Sequence, residues 1–134
     1  MCGIAGFALK GGFEAESAER HARAMADATI HRGPDGSGVW VDAASGIAMA
    51  HRRLSIIDLS PAGAQPMISA TGRYVISYNG EIYNHNDIRY ELRDGKFEWR
   101  GTSDTESLLA GIETWGLERT LKKLVGMFAF ALWD

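Results

Sequence analysis

The one cysteine of this chain is its second residue, and it heads an apolar stretch covering residues 3–9. With a single cysteine there can be no internal disulfide. The 134 residues, 46% of them hydrophobic, must therefore hold together by burying a core, and a chain of this size can do so without a metal or a crosslink. Residues 4–9 read as a buried strand that Gly11-Gly12 break. No basic residues precede the stretch, so it does not read as a secretory leader. The unpaired cysteine and the lack of an Asn-x-Ser/Thr acceptor make a reducing cytoplasm the expected compartment.

Fourteen Lys and Arg against seventeen Asp and Glu leave a net charge of −3, with neither sign gathered in a block. Neither nucleic acid nor a membrane surface is expected as a partner, and a small polar substrate fits better. The longest apolar run, residues 124–133, falls short of the ~18 residues of a membrane span, so a soluble chain is expected.

The spacing predicts a helix over 15–29, with Ala18, Ala22, Met25 and Ala26 on one face. A glycine-rich loop follows at 31–38, then short strands at 39–41 and 47–50. Residues 74–78 have strand character and run into Asn79-Gly80, a pair suited to a tight turn, with another strand starting near Glu81. Helices are predicted at 86–94 and at 103–115, the second carrying Leu108, Leu109, Ile112 and Trp115 at core spacing. Leu117, Leu121 and Leu124 suggest one more. Residues 127–133 are apolar on both faces, the pattern of a strand between two layers with neighbours on both edges. That pattern leads us to expect a chain that is part of a longer protein.

Several residues could carry chemistry. Removing Met1 would leave an α-amine with a pKa of ~7.7–8.0 on the same residue as a thiol of pKa ~8.5, a base beside a nucleophile. Taken by itself, a cysteine here reads first as a small core residue of the first strand, and its position alone does not overturn that. Asn79 and Gly80 offer a side-chain amide and a backbone N–H, the two donor types of an oxyanion hole, or else a plain hairpin turn. Arg53 could clamp a carboxylate through its fork or simply be solvated. Asp104 could hold an ammonium group, or merely favour the start of a helix in the capping-box pattern Ser103-Asp104-Thr105-Glu106. The glycines of 33–38 precede a strand rather than a helix, which argues against a phosphate cradle. The four histidines lack close metal-ligand spacing, so no metal is expected; His31 or His51 as a base for Cys2 stays open.

Four blocks occur in order: Met1-Cys2-Gly3-Ile4-Ala5-Gly6, His31-Arg32-Gly33-Pro34-Asp35, His51-Arg52-Arg53-Leu54-Ser55-Ile56-Ile57-Asp58 and Asn79-Gly80-Glu81-Ile82-Tyr83-Asn84. Gly63-Ala64-Gln65-Pro66 lies between the third and fourth, and Ser103-Asp104-Thr105-Glu106 and Gly126-Met127-Phe128-Ala129-Phe130 come after. Together they resemble the class II glutamine amidotransferases, and within them the glutamine-hydrolysing asparagine synthetases, from one end of the chain to the other.

The resemblance implies that Cys2 is the nucleophile and its own amine the base, with Asn79 and the N–H of Gly80 forming the oxyanion hole. It implies that Arg53 binds the α-carboxylate of glutamine, that Asp104 takes the α-ammonium with Glu81 beside it, and that backbone carbonyls around Leu54, Ile56 and Ile57 complete the pocket. The implied fold is α+β, a four-layer αββα sandwich of the N-terminal nucleophile type with more strands beyond the last one here. Residues 1–134 would be a glutaminase domain incomplete at its C-terminal end, lacking the synthetase domain that normally follows. No cofactor is then expected in this domain, and ATP and Mg belong to the synthetase domain. The implied partners are L-glutamine and a synthetase domain in the same or another chain, and a homodimer is compatible with this. Aspartate is the implied acceptor of the ammonia, with amino-sugar or surface-polysaccharide pathways as alternatives. A non-catalytic glutamine-binding regulatory module, with Cys2 packed or blocked behind Met1, is a reading of a different class.

Overall fold

The computed structural model describes residues 1–95 and 97–134. The first strand, β1 (Gly3–Ala8), is followed by helix α1 (Ala15–Asp27), β2 (Gly36–Asp42) and β3 (Ile47–Arg53). Then come β4 (Met67–Ile68), β5 (Val75–Ile82), α2 (His85–Glu91), α3 (Asp104–Trp115), α4 (Leu117–Lys123) and β6 (Gly126–Trp133). The strands form two antiparallel sheets, ordered β1-β3-β2 and β4-β5-β6. Among the described residues the fold is thus a mixed α/β domain of two three-stranded sheets and four α-helices, none long and apolar enough to cross a membrane.

Local chemistry accounts for the helices. Glu14 caps α1, its carboxylate accepting from the backbone N–H groups of Glu16 and Ser17 at 2.8 and 2.6 Å. The stripe Ala18, Ala22 and Ala26 is buried as its four-residue spacing requires, while Met25, expected on that face, is 42% exposed. Ser103 caps α3 by accepting from the N–H of Thr105 at 3.1 Å. The capping box is only half formed: Glu106 turns away to accept from the N–H groups of Arg100 and Gly101 and pairs with Arg89 at 3.3 Å. Gly116 ends α3 and begins α4 at φ 81°, a conformation that costs glycine little. The helix that Leu117, Leu121 and Leu124 suggested is α4, in which Leu117 and Leu121 are exposed.

Each sheet buries one face against helices. Ala48 and Ala50 of β3 pack with Ala22 and Ala26 of α1, small residues that let helix and sheet lie close. Ile76, Tyr78 and Ile82 of β5 pack with Leu108, Leu109 and Ile112 of α3. The other faces meet each other. His51 of β3 is fully buried with Nε2 2.8 Å from the carbonyl oxygen of Tyr78, and the hydroxyl of Ser77 donates to the carbonyl of Ala50 at 3.2 Å. Alternation along β3 then separates two neighbouring arginines. Arg52 points to the α1 side and pairs with Asp27 at 3.3 Å, whereas Arg53 points to the other.

Two strand expectations are corrected. Asn79-Gly80 is not a hairpin turn: β5 runs through it without a break, Asn79 facing Ala129 and Gly80 facing Phe128 of β6. Long-range pairing overrides the local turn preference, and glycine is needed there because a Cβ would lie 2.4 Å from the carbonyl oxygen of Met127 and 2.5 Å from the Cα of Phe128. Nor is β6 buried on both faces with neighbours on both edges. Among the described residues it pairs with β5 alone; Phe128, Phe130 and Leu132 pack on the core, but Met127, Ala129 and Ala131 are exposed.

Burial pushes the pKa of His51 below its ordinary value of about 6.5; the Tyr78 carbonyl opposes this and the nearby Arg53 charge adds to it. In the unfolded chain His51 takes up a proton near pH 6.5, and in the folded chain only at lower pH, so proton uptake favours unfolding as pH falls through that value. The melting temperature should drop between pH 7 and 5.5, and His51→Gln, which can still donate to Tyr78, should flatten that drop. An unchanged slope in the variant would show that His51 is not the group responsible.

Candidate functional site

The ends of β1, β3 and β5 and the start of α3 enclose a cavity of about 160 Å³, a size suited to a single small metabolite. Every residue to which the resemblance gives a role lines it: Cys2, Arg53, Leu54, Ile56, Ile57, Asn79, Gly80, Glu81 and Asp104. Met1 lines it too, and is 63% exposed.

Cys2 is half-buried just before β1, with its sulfur 3.3 Å from the N–H of Leu54, which donates to it, and 3.6 Å from the Leu54 carbonyl. Gly3 lets the strand approach Thr29, whose hydroxyl would stand 2.3 Å from an added Cβ. The 31–35 loop braces both partners of this contact. Arg32 donates from Nε to the carbonyl of Cys2 at 3.0 Å, while Asp35 donates its N–H to the Arg53 carbonyl at 2.9 Å and accepts from the N–H of Ser55 at 2.8 Å. Among the described residues the Cys2 thiol bonds to Leu54 and to neither histidine. His51 is tied to Tyr78 between the sheets, and His31 is exposed.

The Arg53 guanidinium donates to the carbonyls of Ser60, at 2.9 Å, and Asp58. Two of its five N–H donors are thereby occupied. It lies against Gly63, where an added Cβ would come within 2.1 Å of Nη2. The loop that supplies these carbonyls is closed by Asp58 itself. Its buried carboxylate accepts from the N–H groups of Ser60 and Thr102, each at 2.8 Å, and the Ser60 bonding above all pulls its pKa down to about 2 against the opposing effect of burial.

On β5 the side-chain oxygen of Asn79 is buried without a hydrogen-bond partner among the described residues. Asp104 is 6% exposed; one oxygen accepts from the Tyr78 hydroxyl and the Ile82 N–H, both at 2.9 Å, and the other from the Thr105 N–H at 2.9 Å. Glu81 is exposed at the cavity edge, and Ile56, 67% exposed, stands at the mouth. Arg53 and Asn79, the carboxylates of Glu81 and Asp104 beside that of Asp58, and one thiol thus share a cavity, a layout matched to a zwitterion with a polar tail.

Sequence reasoning passed over Asp58, Gln65 and Tyr78 as site residues. Gln65 accepts from the Tyr78 N–H at 2.6 Å and donates to the Thr105 hydroxyl at 3.3 Å, joining β5 to α3 at the cavity wall. The block Gly63-Ala64-Gln65-Pro66 was the only signal for it. Among the described residues no group of three or more His, Cys, Asp or Glu side chains is placed to hold a metal ion.

A family described as the glutamine amidotransferase domain matches residues 1–134. The chain belongs to that family. It is 42% identical to asparagine synthetase B (glutamine-hydrolysing) of Escherichia coli, over all of this chain and 23% of the relative. It is 40% identical to asparagine synthetase 3 (glutamine-hydrolysing) of Bacillus subtilis, over all of this chain and 21% of the relative. The amidase chry2 of Gibberella zeae is 36% identical, again over all of this chain and 21% of that protein. This glutamine amidotransferase domain therefore spans less than a quarter of the length of these relatives.

Asp58→Asn should cost about 1–3 kcal/mol at neutral pH, since two N–H groups lose a charged acceptor. The folded carboxyl titrates at about 2 and an unfolded one near 3.9, so this stabilisation is complete above the upper value and lost as pH falls toward the lower. Thermal unfolding of the two proteins should converge between pH 4 and 2; equal stability at pH 7 would contradict the role given to Asp58.

Proposed function

We propose that the domain hydrolyses the side-chain amide of L-glutamine to glutamate and ammonia through a thioester on Cys2. The observation that carries this is the convergence of the Cys2 thiol, the Asn79 amide, Arg53 and Asp104 on one cavity of amino-acid size. Family membership supports the same reading. In it Arg53 binds the α-carboxylate, Asp104 with Glu81 takes the α-ammonium, and backbone carbonyls around Leu54, Ile56 and Ile57 close the pocket.

The chemistry starts with removal of Met1, which frees the Cys2 amine and clears a side chain from the cavity. The amine takes the thiol proton, and the thiolate attacks the amide carbon. The oxyanion of the tetrahedral intermediate is held by the Asn79 side-chain amide and the Gly80 N–H. The C–N bond then breaks, with the proton on the Cys2 amine passing to the departing nitrogen, which leaves as ammonia. Water, deprotonated by the same amine, attacks the γ-glutamyl thioester, and glutamate leaves as the thiol is restored. No cofactor takes part in these steps.

In this reading α1, the two sheets and the α2–α4 group are the four layers of an αββα sandwich of the N-terminal nucleophile type. Residues 1–134 are the glutaminase domain. A synthetase domain, in the same or a partner chain and using ATP and Mg, consumes the ammonia in the cytoplasm, with aspartate as acceptor and asparagine as product. The names of the bacterial relatives support that acceptor. The relative named amidase chry2 favours keeping another acceptor in view.

Losing one oxyanion donor typically costs ~3–4 kcal/mol of transition-state stabilisation, so Asn79→Ala should slow ammonia release roughly a hundredfold or more. Steady-state release of ammonia from L-glutamine measures this, with Cys2→Ala as the inactive control. Turnover unchanged in Asn79→Ala would remove Asn79 from the mechanism.

A further inference from the structure

A buried carboxylate must be supplied with donors, and the way Asp104 is supplied is uneven. An ionised carboxylate has about four acceptor positions, two on each oxygen. Both positions on Oδ2 are filled from β5, by the Tyr78 hydroxyl at 2.9 Å and the Ile82 N–H at 2.9 Å. Oδ1 receives the Thr105 N–H at 2.9 Å, an N–H that it shares with the Ser103 hydroxyl oxygen. The acceptor position left over is therefore on Oδ1, and Asp104 lines the cavity.

Tyr78 is itself held at every group that could let it turn. Its N–H is fixed by Gln65 at 2.6 Å and its carbonyl by His51 at 2.8 Å, and its ring stacks on Phe128 with centroids 6.3 Å apart and planes at 28°. Only 2% of the residue is exposed. Burial, and then the Asp104 charge, push its phenol far above the ordinary tyrosine value, so the hydroxyl stays a donor across the whole working pH range.

We infer that Tyr78 is a positioning residue that fixes the Asp104 carboxylate plane so that Oδ1 meets the α-ammonium group of the substrate. The inference rests on the glutamine reading of the cavity. It makes Tyr78 a determinant of selectivity: the residue matters for a ligand that carries an α-ammonium and not for one that lacks it. A tyrosine serving only to fill the core would affect both ligands alike.

The test uses the whole chain in a Cys2→Ala background, where no turnover intervenes, and calorimetric titration with L-glutamine and with glutaramate, the same molecule without its α-amine. Tyr78→Phe should weaken L-glutamine binding about tenfold while changing glutaramate binding less than twofold. In Asp104→Asn, Tyr78→Phe should have no further effect on L-glutamine. Equal weakening of both ligands, no weakening of L-glutamine, or additive losses with Asp104→Asn would overturn the inference. A parent protein that binds glutaramate and not L-glutamine would overturn it too, while one that binds neither would bring down the glutamine reading itself.

Discussion

The fold depends on how two sheets are locked face to face by buried polar groups. His51 reaches from β3 to the Tyr78 carbonyl and Ser77 reaches from β5 to the Ala50 carbonyl, and both side chains are fully buried. Such bonds are directional, and leaving either partner unpaired in the interior would cost its full desolvation. They therefore hold the sheets in one register, which an apolar interface alone would specify less sharply. The register matters because the strand ends beyond these bonds carry Arg53 on one side and Asn79 on the other, the two walls of the cavity.

From that joint outward the site is built by backbone as much as by side chains. The contact of Cys2 with the Leu54 N–H is braced from the 31–35 loop, and Arg53 is aimed by two carbonyls of a loop that Asp58 closes. Glycines stand where neighbouring chain segments come too close for a Cβ: Gly3 beside Thr29, Gly63 beneath Arg53 and Gly80 beside β6. The blocks that carry the family resemblance are thus largely the blocks that build the cavity walls.

Much of this could be read from the residues alone, and the failures have physical causes. The alanine stripe of α1 and the leucines of α3 obey local periodicity, so those helices were legible. Asn79-Gly80 carries a strong local turn preference, and nothing local reveals that β6, 47 or more residues on, pairs across it. Met127, Ala129 and Ala131 gave β6 the pattern of a strand buried on both faces, yet pattern cannot supply the layer that would cover them. Asp58 and Gln65 escaped notice because what they do is bond to backbone or hydroxyl groups as far as 44 residues away, a relation with no sequence period. The nine residues that line the cavity were singled out through order and resemblance, since each had an ordinary structural explanation when taken singly.

The central claim is that Cys2, freed of Met1, forms a covalent intermediate with glutamine. Intact-mass and peptide analysis of the protein quenched in acid during turnover of L-glutamine tests it most directly. The account predicts a chain lacking Met1 that carries one γ-glutamyl group on Cys2, absent from Asn79→Ala quenched at the same early time. Ammonia release from a chain that retains Met1, or from Cys2→Ala, would contradict it.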